Sequence, residues 1–211
     1  AVSPSFFVPI AEECGLIDAL GAFTLETAFR DSLRWPPHFT VAVNVSALQF
    51  RSDRFPEHVE RVLDHAGLPA KFLELEITES VAMEDPERTA RLINELKKRG
   101  VRFAIDDFGC GHSSLAALTQ LPFDVIKIDQ QFIRGLERGD RQAPAIVETI
   151  LAMARTLDLT VVAEGIERSE EAEFLKSRGC RYGQGFLYGA AVPPAEFVQM
   201  LRNQRGAPAA A

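Results

Sequence analysis

Short runs rich in Val, Ile and Phe alternate along this chain with longer stretches whose apolar residues recur every three or four positions. The short runs predict strands at Thr40–Ser46, Phe72–Thr78, Val101–Asp106, Asp124–Ile128 and Thr160–Glu164, with a weaker one at Arg181–Gln184. The longer stretches predict helices. Ile17–Arg34 sets Leu20, Phe23, Leu25, Phe29 and Leu33 mostly along one stripe, and Pro86–Lys98 does the same with Ala90, Leu92, Ile93 and Leu96 before Gly100 stops it. Ala145–Leu157, Ser169–Lys176 and Pro194–Arg202 complete the set, while Glu12 and Glu13 read as solvated residues of a helix start. Strand–helix alternation repeated about six times implies an α/β fold with a parallel sheet. A doubly wound sheet or a barrel would satisfy it, and the absence of Gly-x-Gly-x-x-Gly after the first strand weighs against a dinucleotide-binding version of the former. No internal repeat or long linker divides the chain, so residues 1–205 are read as one domain and 206–211 as a disordered tail.

Composition narrows the classes. A net charge of −7 argues against DNA or RNA binding, which requires a basic surface. The apolar runs fall well short of a membrane span of roughly 20 residues. The expected location is therefore the cytoplasm, either free or as the cytoplasmic part of a membrane-anchored protein. Cys14, Cys110 and Cys180 are scattered without CxxC spacing, which suits a reducing compartment. The four histidines never fall at zinc-ligand spacing.

Polar residues recur at the carboxyl ends of the strands, where a barrel builds its active site. They are Asn44, Glu76, Asp106 with Asp107, Lys127, Glu164 and Gln184, spaced by 20 to 37 residues, about one βα unit each. One such residue alone is ordinarily a cap or turn former. Six strand ends in succession are not explained that way, and two adjacent carboxylates closing the apolar run VRFAI would repel without a cation. Lys127 could be a salt-bridge partner of Asp129, two residues on. Several oxygen ligands without His or Cys select hard cations, Mg2+ or Mn2+. Two such ions sharing a carboxylate would suit attack of water on a phosphodiester.

The segments SPSFFVPIAEECGLI, VNVSALQF, LELEITES, VRFAIDDFG with KID some twenty residues on, VVAEGIE and GCRYGQGFL together resemble the EAL family of cyclic di-GMP phosphodiesterases over residues 3–203. The resemblance implies a (β/α)8 TIM-type barrel and hydrolysis of cyclic di-GMP to the linear dinucleotide with two divalent cations. It implies that Asn44, Glu76, Asp106, Asp107 and Glu164 are metal ligands, with Asp106 bridging and Glu164 holding water or the second ion. Lys127 would orient the attacking water, and Gln184 would contact that water or the substrate. Glu79 would anchor the loop Phe108–Ser114, and Phe7, Val8 and Pro9 would pack beside a guanine. A homodimer, and a sensor or diguanylate-cyclase-like domain in a longer parent protein, are further expectations of the family.

The resemblance breaks at two places. The loop reads GCGHSS, with Cys110 and His112 where the family has Thr and Tyr. The family's first two strands, which carry the Glu-Ala-Leu signature and its metal-binding Glu, have no counterpart here. The barrel is therefore expected to be incomplete at its N-terminus, as an excerpt of a longer protein. The alternatives to a phosphodiesterase are a catalytically inactive receptor for cyclic di-GMP, and an enolising barrel enzyme with Lys127 as base.

Overall fold

The computed structural model describes residues 2–35, 39–67, 69–110, 118–137 and 140–204. His38, His112, most of the loop 108–114 and the tail 206–211 lie outside the described residues. Period-two alternation sets the architecture. Val41, Val43, Leu73, Leu75, Ile77, Phe103, Ile105, Ile126 and Ile128 are buried in one continuous core with the helices, while the residues between them turn to the opposite face. The strands are β1 (Val41–Asn44), β2 (Leu73–Thr78), β3 (Arg102–Phe108), β4 (Val125–Ile128), β5 (Thr160–Ala163) and β6 (Tyr182–Gly183). All pairings are parallel, in the spatial order β1-β2-β3-β4-β5-β6. Strand order that follows chain order without reversal excludes a doubly wound sheet, which needs a switch point where the order turns back. It is the winding of a (β/α) barrel, open here between β1 and β6 among the described residues.

Helices cover the outer face: α1 (Pro4–Glu13), α2 (Ile17–Ser32), α3 (Ala47–Phe50), α4 (Phe55–Ala66), α5 (Glu79–Glu84), α6 (Pro86–Lys97), α7 (Gln130–Glu137), α8 (Ala143–Thr156), α9 (Ser169–Ser177) and α10 (Pro194–Gln204). Glu12 and Glu13 close α1 rather than open it, because the helix starts at Pro4, a residue suited to a first turn. The expected strands and helices end within about two residues of the observed ones. Five helices, α1, α3, α4, α5 and α7, were not predicted. Of these α4 carried a readable signal: Phe55, Val59, Val62 and Leu63 at helical spacing, Pro56 in the first turn and Gly67 as the left-handed cap. Trp35, after α2, meets Phe197 of α10 edge to face at 5.0 Å and ties the last helix to the first layer. No described helix is long and apolar enough to cross a membrane.

Candidate functional site

The inner face of the sheet is polar, in two tiers. In the lower tier the Arg102 guanidinium lies 3.4 Å from Glu74, whose carboxyl is pushed up by burial against the pull of that cation. In the upper tier, at the carboxyl ends of the strands, Lys127 Nζ lies 2.8 Å from Glu76 Oε2, 3.1 Å from Asp106 Oδ1 and 2.8 Å from Glu164 Oε1. The expected partner Asp129 is not among them. β4 ends at Ile128, so Asp129 has left the pleat for the turn into α7 and sits instead beside Asp107 and Cys110.

Adjacent residues of a flat strand point to opposite faces, so Asp106 and Asp107 converge only because β3 breaks its pairing with β4 between Ile105 and Phe108. Asp107 adopts φ 53, a left-handed conformation that Asp tolerates better than most side chains, and its N–H donates to Asp106 Oδ1 at 3.0 Å. Carboxylate oxygens of Asp106, Asp107 and Glu164 all lie within 4.8 Å of one another. Asn44 ends β1 in register with Glu76, and the Ser46–Gln49 capping box turns the chain directly behind it.

The loop after Asp107 is held from both sides. Glu79, only 3% exposed at the start of α5, accepts the Gly109 N–H at 2.7 Å. Gly109 has φ 100, and a Cβ there would stand 2.7 Å from the Phe132 ring on α7. Gln131 Nε2 reaches Cys110 Sγ at 2.9 Å. At the far rim, Gln184 and Glu164 line one cavity of about 340 Å³ with Gln130, Arg134 and Phe186. On the side of β1, Phe7 and Val8 line an apolar groove of about 580 Å³ that reaches Asn44, while Pro9 is exposed on α1 outside it.

Charge decides what this arrangement can hold. Burial alone would depress Lys127, yet Glu76 and Asp106 beside it and the bond to Glu164 raise it above the ordinary lysine range, so it stays an ammonium. Burial, with the charges of Asp106 and Glu76, lifts Glu164 above the usual carboxylate range despite Lys127. Asp107 is also raised, first by burial, then by Asp106 and Asp129. One ammonium faces the carboxylates of Glu76, Asp106, Asp107 and Glu164, an excess of negative charge that divalent cations would neutralise. An all-oxygen donor set suits Mg2+ or Mn2+. The sequence reading singled out Asp129 as a partner for Lys127, whereas it stands beside Asp107 and Cys110. Strand alternation would have kept Asp129 on the side of Lys127, but the strand ends one residue short of it.

The family model described as EAL domain matches residues 1–204. The cyclic di-GMP phosphodiesterase NbdA of Pseudomonas aeruginosa is 39% identical over 208 residues, 97% of this chain and 26% of that protein. The bifunctional diguanylate cyclase/cyclic di-GMP phosphodiesterase MucR of the same species is 40% identical over 201 residues, 93% of this chain and 29% of that protein. The chain thus spans about a quarter of the length of these curated relatives. Among solved structures, the PaMucR phosphodiesterase in complex with c-di-GMP superposes with a TM-score of 0.89 at 40% identity, covering 93% of this chain and 81% of that one. The EAL domain of Mycobacterium smegmatis DcpA gives 0.82 at 36% identity, over 89% and 86%.

Proposed function

This chain belongs to the EAL domain family, and from that premise we propose that it is a phosphodiesterase that hydrolyses cyclic di-GMP to the linear dinucleotide with two divalent cations. The observation that carries the reading is the convergence of Glu76, Asp106 and Glu164 on one buried ammonium, with Asp107 beside them. Asn44, Glu76, Asp106, Asp107 and Glu164 would hold the ions. When bound, the ions would polarise the phosphodiester and make a water acidic enough to supply the attacking hydroxide near neutral pH. Lys127, locked as an ammonium, orients that water and offsets the charge that grows on the phosphoryl oxygens. The enolising alternative predicts turnover of a carboxylate substrate and no binding of cyclic di-GMP.

Glu79 keeps the Asp107 loop in place through Gly109. Phe7 and Val8 offer an apolar wall for one guanine, and Gln184 meets the substrate or the water from the opposite rim. Homodimerisation, and sensor or cyclase-like partner domains in a longer protein, belong to the same proposal.

The test incubates this chain with cyclic di-GMP and Mn2+ and resolves products by anion exchange. Linear dinucleotide is expected, and is expected to vanish with chelator and in Asp106→Asn. Unchanged turnover in Asp106→Asn would overturn the metal assignment. Intact nucleotide that nevertheless binds would favour the receptor reading.

A further inference from the structure

The loop that leaves β5 begins at Glu164 and is tied along its length. The Glu164 N–H donates to Ile128 O at 3.1 Å and the Ile166 N–H to Gln184 O at 3.0 Å, while Ile166 O accepts the Leu187 N–H at 3.0 Å. The loop and the turn after β6 are therefore hydrogen-bonded to each other through Ile166. Gly165, at φ 69, packs so tightly on Gln130 that a Cβ would overlap that side chain. The far end of the loop is held by a side chain. Glu171, in the first turn of α9 and only 4% exposed, accepts the N–H groups of Glu167 at 2.9 Å and Arg168 at 3.1 Å on the same oxygen, Oε2. The ion pair of Arg134 with Glu167 at 3.2 Å is nearly half exposed at both partners and too well solvated to hold the loop by itself.

We infer that Glu171 is a positioning residue for the reaction proposed above, an inference that rests on that reading. By fixing Glu167 and Arg168 it fixes the loop that aims Glu164 and, through Ile166, the turn that carries Gln184. Glu171 contributes an acceptor oxygen. Both bonds end on one atom, so an amide oxygen serves equally and an apolar side chain of similar length does not.

The test compares Glu171→Gln, Glu171→Met and Glu171→Ala in the whole chain. Steady-state turnover of cyclic di-GMP is measured, together with Mn2+ affinity by calorimetry without nucleotide and amide exchange at residues 166–168. Glu171→Met and Glu171→Ala are expected to lower kcat about tenfold, weaken Mn2+ binding and speed exchange, while Glu171→Gln stays within about twofold of the unsubstituted chain on all three. A purely structural role would lower the melting temperature but leave kcat and Mn2+ affinity unchanged well below it. A folded Glu171→Met with unchanged kcat and Mn2+ affinity overturns the inference, as does a Glu171→Gln as impaired as Glu171→Met. If the methionine variant does not fold, Glu171→Ala is judged by the same criteria. Failure of the underlying reading looks different: the unsubstituted chain then neither binds Mn2+ nor turns over the nucleotide, and this role falls with it.

Discussion

Replacing Lys127 by Met keeps the length of the side chain and removes its charge. Three carboxylates at 2.8, 3.1 and 2.8 Å then face one another without a cation, in a place where the lysine side chain itself is only 6% exposed. Breaking a buried ion pair by deleting one partner destabilises by about 3–5 kcal/mol, a large part of the roughly 5–15 kcal/mol that holds a domain folded. The pH dependence follows from the direction in which the orphaned carboxylates move. Glu164 is already raised by burial with the lysine in place, and losing the lysine raises it further. A carboxyl whose folded pKa exceeds its unfolded value, about 4.3 for Glu, binds protons preferentially in the folded state. The penalty is therefore full above the raised pKa and fades as pH falls toward the unfolded value. Urea unfolding followed by circular dichroism, in chelator at pH 7.5 and at pH 5, should show a larger deficit at the higher pH than at the lower. Added Mn2+ should recover part of it by restoring positive charge. Stability within about 0.5 kcal/mol of the unsubstituted chain at pH 7.5 would refute the reasoning, as would a larger deficit at pH 5 than at pH 7.5.

Gly109→Ala forces a side chain into φ 100 and against the Phe132 ring, which should lower stability by about 1–3 kcal/mol in thermal melts and reduce turnover by displacing the loop that Glu79 anchors. Cys110 is pushed up to about 12, first by burial, then by the charges of Asp129 and Asp107, so its thiol stays protonated at neutral pH. Its alkylation, followed by mass spectrometry, should rise about tenfold per pH unit from pH 7 to 10, and a plateau near pH 8.5 would contradict the assignment.

Much of the scaffold was legible because both faces of the strands follow simple rules. The outer positions of β2 and β4 had to be apolar to meet helices, so Leu73, Leu75, Ile77, Ile126 and Ile128 stood out, and the polar residues at strand ends followed from them. What the pattern did not convey was the break in β3. Nothing in IDDF states that its second aspartate turns left-handed and brings two neighbouring carboxylates to one side. The partners of Lys127 were likewise hidden, since Glu76, Asp106 and Glu164 reach it from other strands of the sheet, far away in sequence. Asp129, nearer in sequence, was the natural guess. α1 was obscured by Pro9 within it, and α5 by its brevity.

Strand order that matches chain order also sets a timetable for synthesis. Each strand pairs with the one made just before it, so the sheet can grow from β1 onward with short loop closures and little backtracking. The acidic cluster does not grow in the same way. Asn44 and Glu76 emerge early and Glu164 and Gln184 late, and Lys127 meets its last carboxylate only when β5 docks. A chain arrested before residue 164 would pair its earlier strands and still lack a charge partner of Lys127, so competence at this site reports that β5 has docked.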